Sequence, residues 1–254
     1  MTEKPLVSAK SKTLADAIVN KAVIVEDFVI GGFQKTSLLD FPQKIACIVF
    51  TPRCNFQCGY CHNPELNNSK EAVIELPSFF EFLKTRKGKL DGVVITGGEP
   101  TLQKGLYQFI FEIKNMGYAV KLDTNGSNPE LLKKFIDEKL IDYVAMDIKA
   151  PFYKYHDVIK TKIPLENIKQ SIDILLENRV DYEFRTTVVK EQLTFDDFEK
   201  IGELIKGAKK YYLQKFEPSK TLDPKFADCS TYSSLEFETI AGIMSKYVDL
   251  AKVR

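Results

Sequence analysis

The chain has 254 residues, 44% of them apolar, enough for one substantial core and for an α/β barrel counted as a single domain. Its 36 basic and 35 acidic residues leave a net charge of +1, so nothing suggests the clustered basic excess that nucleic-acid backbones require. No apolar run approaches the ~18 residues of a membrane span, and Met1 to Lys12 is too polar for a secretory signal, so the chain is expected in the cytoplasm, where thiols stay reduced.

Residues 1–27 stand apart. A polar start leads into Thr13 to Val25, whose apolar residues suit a short helix, and then Glu26-Asp27. They read as an extension of unknown role ahead of one domain over 28–254. From Phe28 onward, short β-branched runs alternate with amphipathic stretches. Strand Ile45 to Thr51 is followed by helix Pro77 to Lys87, and strand Gly92 to Thr96 by helix Leu102 to Met116. Strand Tyr118 to Leu122 precedes helix Glu130 to Glu138, with Asn128 as its cap and Pro129 in its first turn. Strand Tyr143 to Asp147 leads to helix Pro164 to Asn178. Strand Tyr182 to Val188 leads to helix Thr194 to Ile205, with Thr194 as the cap before Asp196 and Asp197. Strand Tyr211 to Phe216 and a last helix, Ser233 to Leu250, close the chain. The run Lys206 to Lys210 reads as a solvated helix end. Six strands alternating with six helices predict an α/β fold with parallel strands and right-handed crossovers. Six units are too few to close an eight-stranded barrel, so the expected architecture is a partial (β/α)6 barrel of TIM type, with its chemistry on the loops that follow the strands.

Three of the five cysteines fall within eight residues, directly after the first strand: Cys54-Asn55-Phe56-Gln57-Cys58-Gly59-Tyr60-Cys61. Such a group reads as ligands and not as a disulfide framework. Three thiolates on one loop hold three irons of a 4Fe-4S cubane and leave the fourth without a protein ligand. S-adenosylmethionine (SAM) can chelate that open iron through its amino and carboxylate groups. Two other readings compete. Cys58-Gly59-Tyr60-Cys61-His62 matches a haem-attachment pattern, but leaves Cys54 idle and needs an oxidising export route. A structural zinc with three Cys and His62 would use two adjacent residues on one tetrahedral ion and lacks a second knuckle. Cys47 and Cys229 read as ordinary small side chains.

Polar residues recur at the later strand ends. Thr96-Gly97-Gly98-Glu99-Pro100 offers backbone without side chains for a close approach to the amino group of SAM, with Glu99 either touching the cofactor or holding the turn. Asp123 and Asn125 follow the third strand. Asp147 and Lys149 share a face at period two and suit the zwitterionic end of SAM, or simply form a salt bridge. Arg185, in a strand that otherwise reads as buried, calls for an anionic partner. Gln214 lies where it can point into the barrel mouth.

On these residues the chain resembles the glycyl-radical-enzyme activases of the radical SAM superfamily, in the branch of the anaerobic ribonucleoside-triphosphate reductase activating proteins. The C-x3-C-x2-C spacing with an aromatic residue before the last Cys is the superfamily signature. The matching stretches are Gly31 to Lys35, Ser37 to Pro42, Cys61 to Leu66, Gly97 to Pro100, Lys121 to Gly126, Ala145 to Lys149 and Glu183 to Val189, and Cys61-His62-Asn63 with Asp123 to Gly126 and Asp147-Ile148-Lys149 marks the branch. The resemblance implies a cluster on Cys54, Cys58 and Cys61 as the catalytic and metal-binding residues. It implies Tyr60 near adenine, SAM contacts from Gly97, Gly98, Asp147, Lys149 and Arg185, and a monovalent cation at Asp123 and Asp147. The implied reaction is reductive cleavage of SAM with an electron from flavodoxin or ferredoxin, followed by removal of a hydrogen from one glycine of a large reductase. Gln214 departs from the His often found there in the formate-lyase activases. Another protein, a small molecule or a nucleoside is the alternative substrate.

Overall fold

The computed structural model describes residues 25, 27–68 and 72–254, so the extension expected over 1–27 lies almost wholly outside the described residues. All six expected strands form: β2 (Ala46–Thr51), β3 (Gly92–Gly97), β4 (Ala119–Thr124), β5 (Tyr143–Asp147), β6 (Asp181–Val188) and β7 (Tyr211–Lys215). They lie side by side in chain order, each parallel to the next. Two strands were not expected. β1 (Gly32–Ser37) pairs antiparallel with β2, and β8 (Ala251–Val253) extends the other edge in parallel with β7. The sheet runs from β1 to β8 without joining end to end, so the barrel is open.

Helices cover its outer face: α1 (Pro64–Asn68), α2 (Leu76–Thr85), α3 (Leu106–Asn115), α4 (Pro129–Asp137), α5 (Phe152–Ile159), α6 (Leu165–Leu176), α7 (Phe195–Leu204) and α8 (Ser234–Met244). The strands read as near-continuous apolar runs because both faces are covered, β2 and β5 most completely. Helix spacing brings Phe79, Phe80 and Leu83 of α2, and Phe109, Ile110 and Ile113 of α3, into one core. Each such side chain stabilises by roughly 1.5–3 kcal/mol when fully buried. The expected caps are in place. Asn128 Oδ1 accepts the Leu131 N–H at 3.2 Å, and the Asp197 carboxylate accepts the Thr194 N–H at 2.7 Å and its hydroxyl at 2.9 Å.

Two expectations need correction. The last helix ends at Met244 and not at Leu250. Tyr247 O accepts from Gly207 N at 2.8 Å and Asp249 N donates to Ala208 O at 3.0 Å. These bonds peel the chain off the helix and feed it into β8. Two helices were also not expected, α1 after the cysteine loop and α5 between β5 and α6, and both support the site.

Candidate active site

The loop after β2 carries the three cysteines, and three separate elements brace it. Arg53, at φ 67°, turns the chain out of the strand, and its N–H reaches Leu66 O of α1 at 2.7 Å. Gln57 N donates to Ile159 O, the last residue of α5, at 2.8 Å. Gly59 O accepts from Asp223 N at 2.9 Å, at the start of the short 3-10 turn Pro224–Asp228. Phe56 packs edge-on to Tyr155 of α5, and Tyr60 edge-on to Phe226. Cys58 is buried, while Cys54 and Cys61 are half-buried.

The end of β3 is laid directly against this loop. Gly98 N donates to Thr51 O and Glu99 N to Arg53 O, both at 2.8 Å. A Cβ on Gly97, whose φ is 113°, would stand 2.4 Å from Thr51 N; one on Gly98 would stand 2.0 Å from Arg53 O. The glycines are therefore dictated by the close approach of two backbones, in addition to any room they leave for a ligand. Glu99, expected among the cofactor contacts, does not line the cavity. It is fully buried behind it, where its carboxylate accepts from Thr101 N, Thr101 Oγ1 (2.6 Å), Thr124 Oγ1 (2.8 Å) and Asn125 N (2.7 Å). Burial pushes its carboxyl up from the usual range against the pull of these donors. Glu99 thus joins the β3 loop to the β4 loop. Asn125 carries the connection on to the cysteines, donating to Asn55 Oδ1 at 2.8 Å.

Opposite the cysteines, β4, β5 and β6 present a chain of alternating charges. Lys121 donates to Asp123 Oδ1. Arg185 Nη1 reaches Asp123 Oδ2 at 3.0 Å and Arg185 Nε reaches Asp147 Oδ1 at 2.9 Å. Lys149 Nζ reaches Asp147 Oδ2 at 3.0 Å and stands 5.9 Å over the Tyr60 ring. Burial alone would raise the Asp147 carboxyl; Arg185 and then Lys149 outweigh it and hold it at about 2. Asp123 is lowered in the same way, burial being overcome by Arg185 and then Lys121. The Lys149 ammonium is kept well above its ordinary value despite burial, chiefly by Asp147.

Cysteine loop, glycine turn and charge chain meet around one cavity of about 260 Å³. It is lined by Cys54, Cys58, Tyr60, Cys61, Gly97, Gly98, Asp123, Asn125, Asp147, Lys149, Arg185 and Gln214. These are the candidate residues of the sequence, Glu99 excepted. Phe56, His62, Asn63, Thr96, Thr124 and Thr187 also line it without having been assigned a role. Lys121, beneath Asp123, was missed as well. Applying to Lys121-Leu122-Asp123 the period-two rule that pairs Asp147 with Lys149 would have found it.

The donor set fits an iron–sulfur cluster. Soft thiolates are its usual protein ligands, and three of them leave one iron for a second molecule. Burial pushes Cys54 up to about 12 and raises Cys58 as well, so these thiols give up a proton only when a positive centre replaces it. Among the described residues, no three His, Cys, Asp or Glu side chains gather on one point as a single metal ion requires. Tyr60 lines the same cavity, and among the described residues its buried hydroxyl has no hydrogen-bond partner.

The comparisons agree with this geometry. A Methanocaldococcus jannaschii protein, provisionally assigned as a glycyl-radical enzyme activating enzyme, is 35% identical over 233 residues, spanning 89% of this chain and 95% of that protein. A solved radical SAM methyltransferase from Sphaerobacter thermophilus superposes with a TM-score of 0.65 at 15% identity, over 86% of this chain and 68% of that one. A domain of a pyruvate-formate lyase-activating enzyme from Bacteroides vulgatus gives 0.51 at 20% identity, over 64% of this chain and 98% of that one. At such identities the two structures speak for the fold alone. The sequence profile of the radical SAM superfamily matches residues 48–205, well over half of the chain, from within β2 through α7. With three cysteines after the first parallel strand and a charged wall across the next ones, the chain belongs to the radical SAM superfamily.

Proposed function

We propose that the chain is a glycyl-radical enzyme activating enzyme of the cytoplasm, with residues 28–254 as one domain and anaerobic ribonucleoside-triphosphate reductase as its target. The observation that carries the reading is the meeting of three thiols and an alternating charge chain in one cavity. The nearly end-to-end similarity to the M. jannaschii protein supports the activase assignment. Cys54, Cys58 and Cys61 would hold a 4Fe-4S cluster. When bound, cluster and SAM supply one-electron cleavage of the sulfonium and removal of one hydrogen atom from the target glycine, with flavodoxin or ferredoxin as electron source.

This chain's residues position that chemistry. Lys149 offers its ammonium to the carboxylate of SAM, and Asp147, held between Arg185 and Lys149, orients that ammonium at a depth where charge-assisted contacts are strong. Arg185 holds both aspartates in place. Tyr60 presents its ring and hydroxyl for the adenosyl part, Gln214 adds an amide to the lining, and Asn125, buried and bonded to Asn55 and Ser127, holds the cysteine loop in place. Gly97 and Gly98 form the edge against which the amino end rests, and Glu99 fixes that edge from behind. The open sheet leaves a lateral mouth for a protein loop, and a partner seated there excludes water from the reacting atoms. The test is paramagnetic resonance of the reduced protein with SAM and the reductase. A glycyl doublet, lost when the target glycine is replaced by alanine and matched by 5′-deoxyadenosine, supports the reading. Rapid deoxyadenosine formation on a nucleoside or other small molecule, with no doublet in any partner, would replace it.

A further inference from the structure

The family resemblance implies a monovalent metal cation at Asp123 and Asp147, yet the residues present do not fit one. Each of the four carboxylate oxygens already faces a cation of the chain: Asp123 has Lys121 and Arg185, and Asp147 has Arg185 and Lys149. A metal cation needs several oxygens free to point at one centre. Adding a fourth positive charge to three cations and two carboxylates is opposed at short range.

Lys121 is the unusual member. Its side chain is 3% exposed, on the lumen side of β4 below Asp123. In register beside it stand Val94 of β3 and Tyr143 of β5. The Tyr143 hydroxyl is turned to Glu183 at 2.9 Å, and Glu183 is also bound by Arg254. Among the described residues, the Lys121 ammonium therefore has Asp123 as its one hydrogen-bond partner. A buried ammonium persists only when paired, and this pairing directs a compact point charge at the carboxylate beneath the SAM site.

We propose that Lys121 is a built-in counter-cation: its ammonium occupies the place beside Asp123 that a metal cation would fill, so SAM binding here needs no monovalent ion. The inference rests on the SAM-site reading above. Lys121 acts through Asp123 as a positioning residue. It holds the carboxylate toward Arg185, which in turn fixes Asp147 and Lys149.

The experiment is calorimetric titration of SAM into the anaerobically reconstituted protein in potassium, sodium and tetramethylammonium chloride at equal ionic strength. The wild-type dissociation constant should agree within about twofold across the three salts. Lys121→Met, checked for folding by circular dichroism, should bind SAM about tenfold or more weakly in tetramethylammonium and recover in potassium, since the vacated site now admits a metal ion. Loss of packing alone would not produce that rescue. The proposal is overturned if wild-type affinity collapses when potassium is withdrawn, or if Lys121→Met stays indifferent to the salt. Should the variant not fold, the wild-type salt exchange still decides. Absence of SAM binding in all three salts would instead sink the SAM-site reading itself.

Discussion

Arg185 Nη1 meets Asp123 Oδ2 at 3.0 Å although the two residues stand on strands separated by β5, and the β5 residue in register with Asp123 is Ala145. A guanidinium can cross a strand only where nothing projects into its path. Ala145 is fully buried and ends at Cβ, which leaves that path open. The two halves of the charge chain are therefore one network because of a small side chain that carries no charge.

Ala145→Leu should break this crossing. Overpacking is expected to cost about 1–3 kcal/mol of stability by urea unfolding. SAM affinity should fall while the iron–sulfur absorbance survives, because the cysteine loop lies on the other side of the cavity. Unaltered SAM affinity in a folded variant would show that Arg185 need not bridge the two aspartates.

Cys54→Ala, Cys58→Ala and Cys61→Ala should each abolish the charge-transfer absorbance near ~400 nm that a reconstituted cluster gives. Cys47→Ala and Cys229→Ala should retain it. Cys47 is buried within β2, and Cys229 sits after the 3-10 turn, with its thiol near Lys225 O at 3.8 Å. An essential Cys229 would rule out the three-ligand arrangement.

The Asp147 carboxyl is held at about 2 in the folded chain, below the ~3.9 of an unfolded aspartate. A lowered folded value means that its stabilisation is complete above about pH 4 and is lost as pH falls through about 2, a window worth roughly 2–3 kcal/mol. Urea unfolding of the wild type from pH 5 to 2.5 should lose more stability than Asp147→Asn does over the same range. Equal losses would show that Asp147 is not titrating with folding.

Two glycines near the cysteines should differ sharply. A methyl on Gly98 meets the Arg53 carbonyl at 2.0 Å, which only a backbone shift can relieve, so Gly98→Ala should displace the cysteine loop and impair cluster retention. A methyl on Gly59 meets the Phe226 ring at 2.2 Å, and a ring can move. Gly59→Ala should be milder, and Gly59→Ala with Phe226→Leu should recover most of the lost stability in thermal unfolding. Equal damage from both single substitutions would contradict this reading of the contacts.

The apolar runs and helix caps made the six parallel strands legible, because strands covered on both faces leave an unmistakable pattern. β1 was not legible as a strand. Gly32–Ser37 is an edge with half of its residues exposed and carries no apolar alternation. β8 is three residues long and is held by its neighbours. The helix expected up to Leu250 overran because Tyr247, Val248 and Leu250 continue an apolar rhythm that packing then diverts to Gly207 and Ala208. In the site, residue types and spacing selected the cavity lining. What they could not convey was direction. Glu99 faces backward into four donors, and Lys121 lies one layer below the residues that were assigned roles.

The latch between Asp223 and Gly59, with Phe226 against Tyr60, has a consequence for how the protein comes into being. The cysteines are translated early, but one of their three braces belongs to residues 223–226, synthesised more than half a chain later. At some 5–20 residues per second, the loop passes through roughly ten to thirty seconds of synthesis without its full support. Iron delivered during translation would meet a loop free to sample other shapes. Iron delivered after release would meet a loop with all three braces in place.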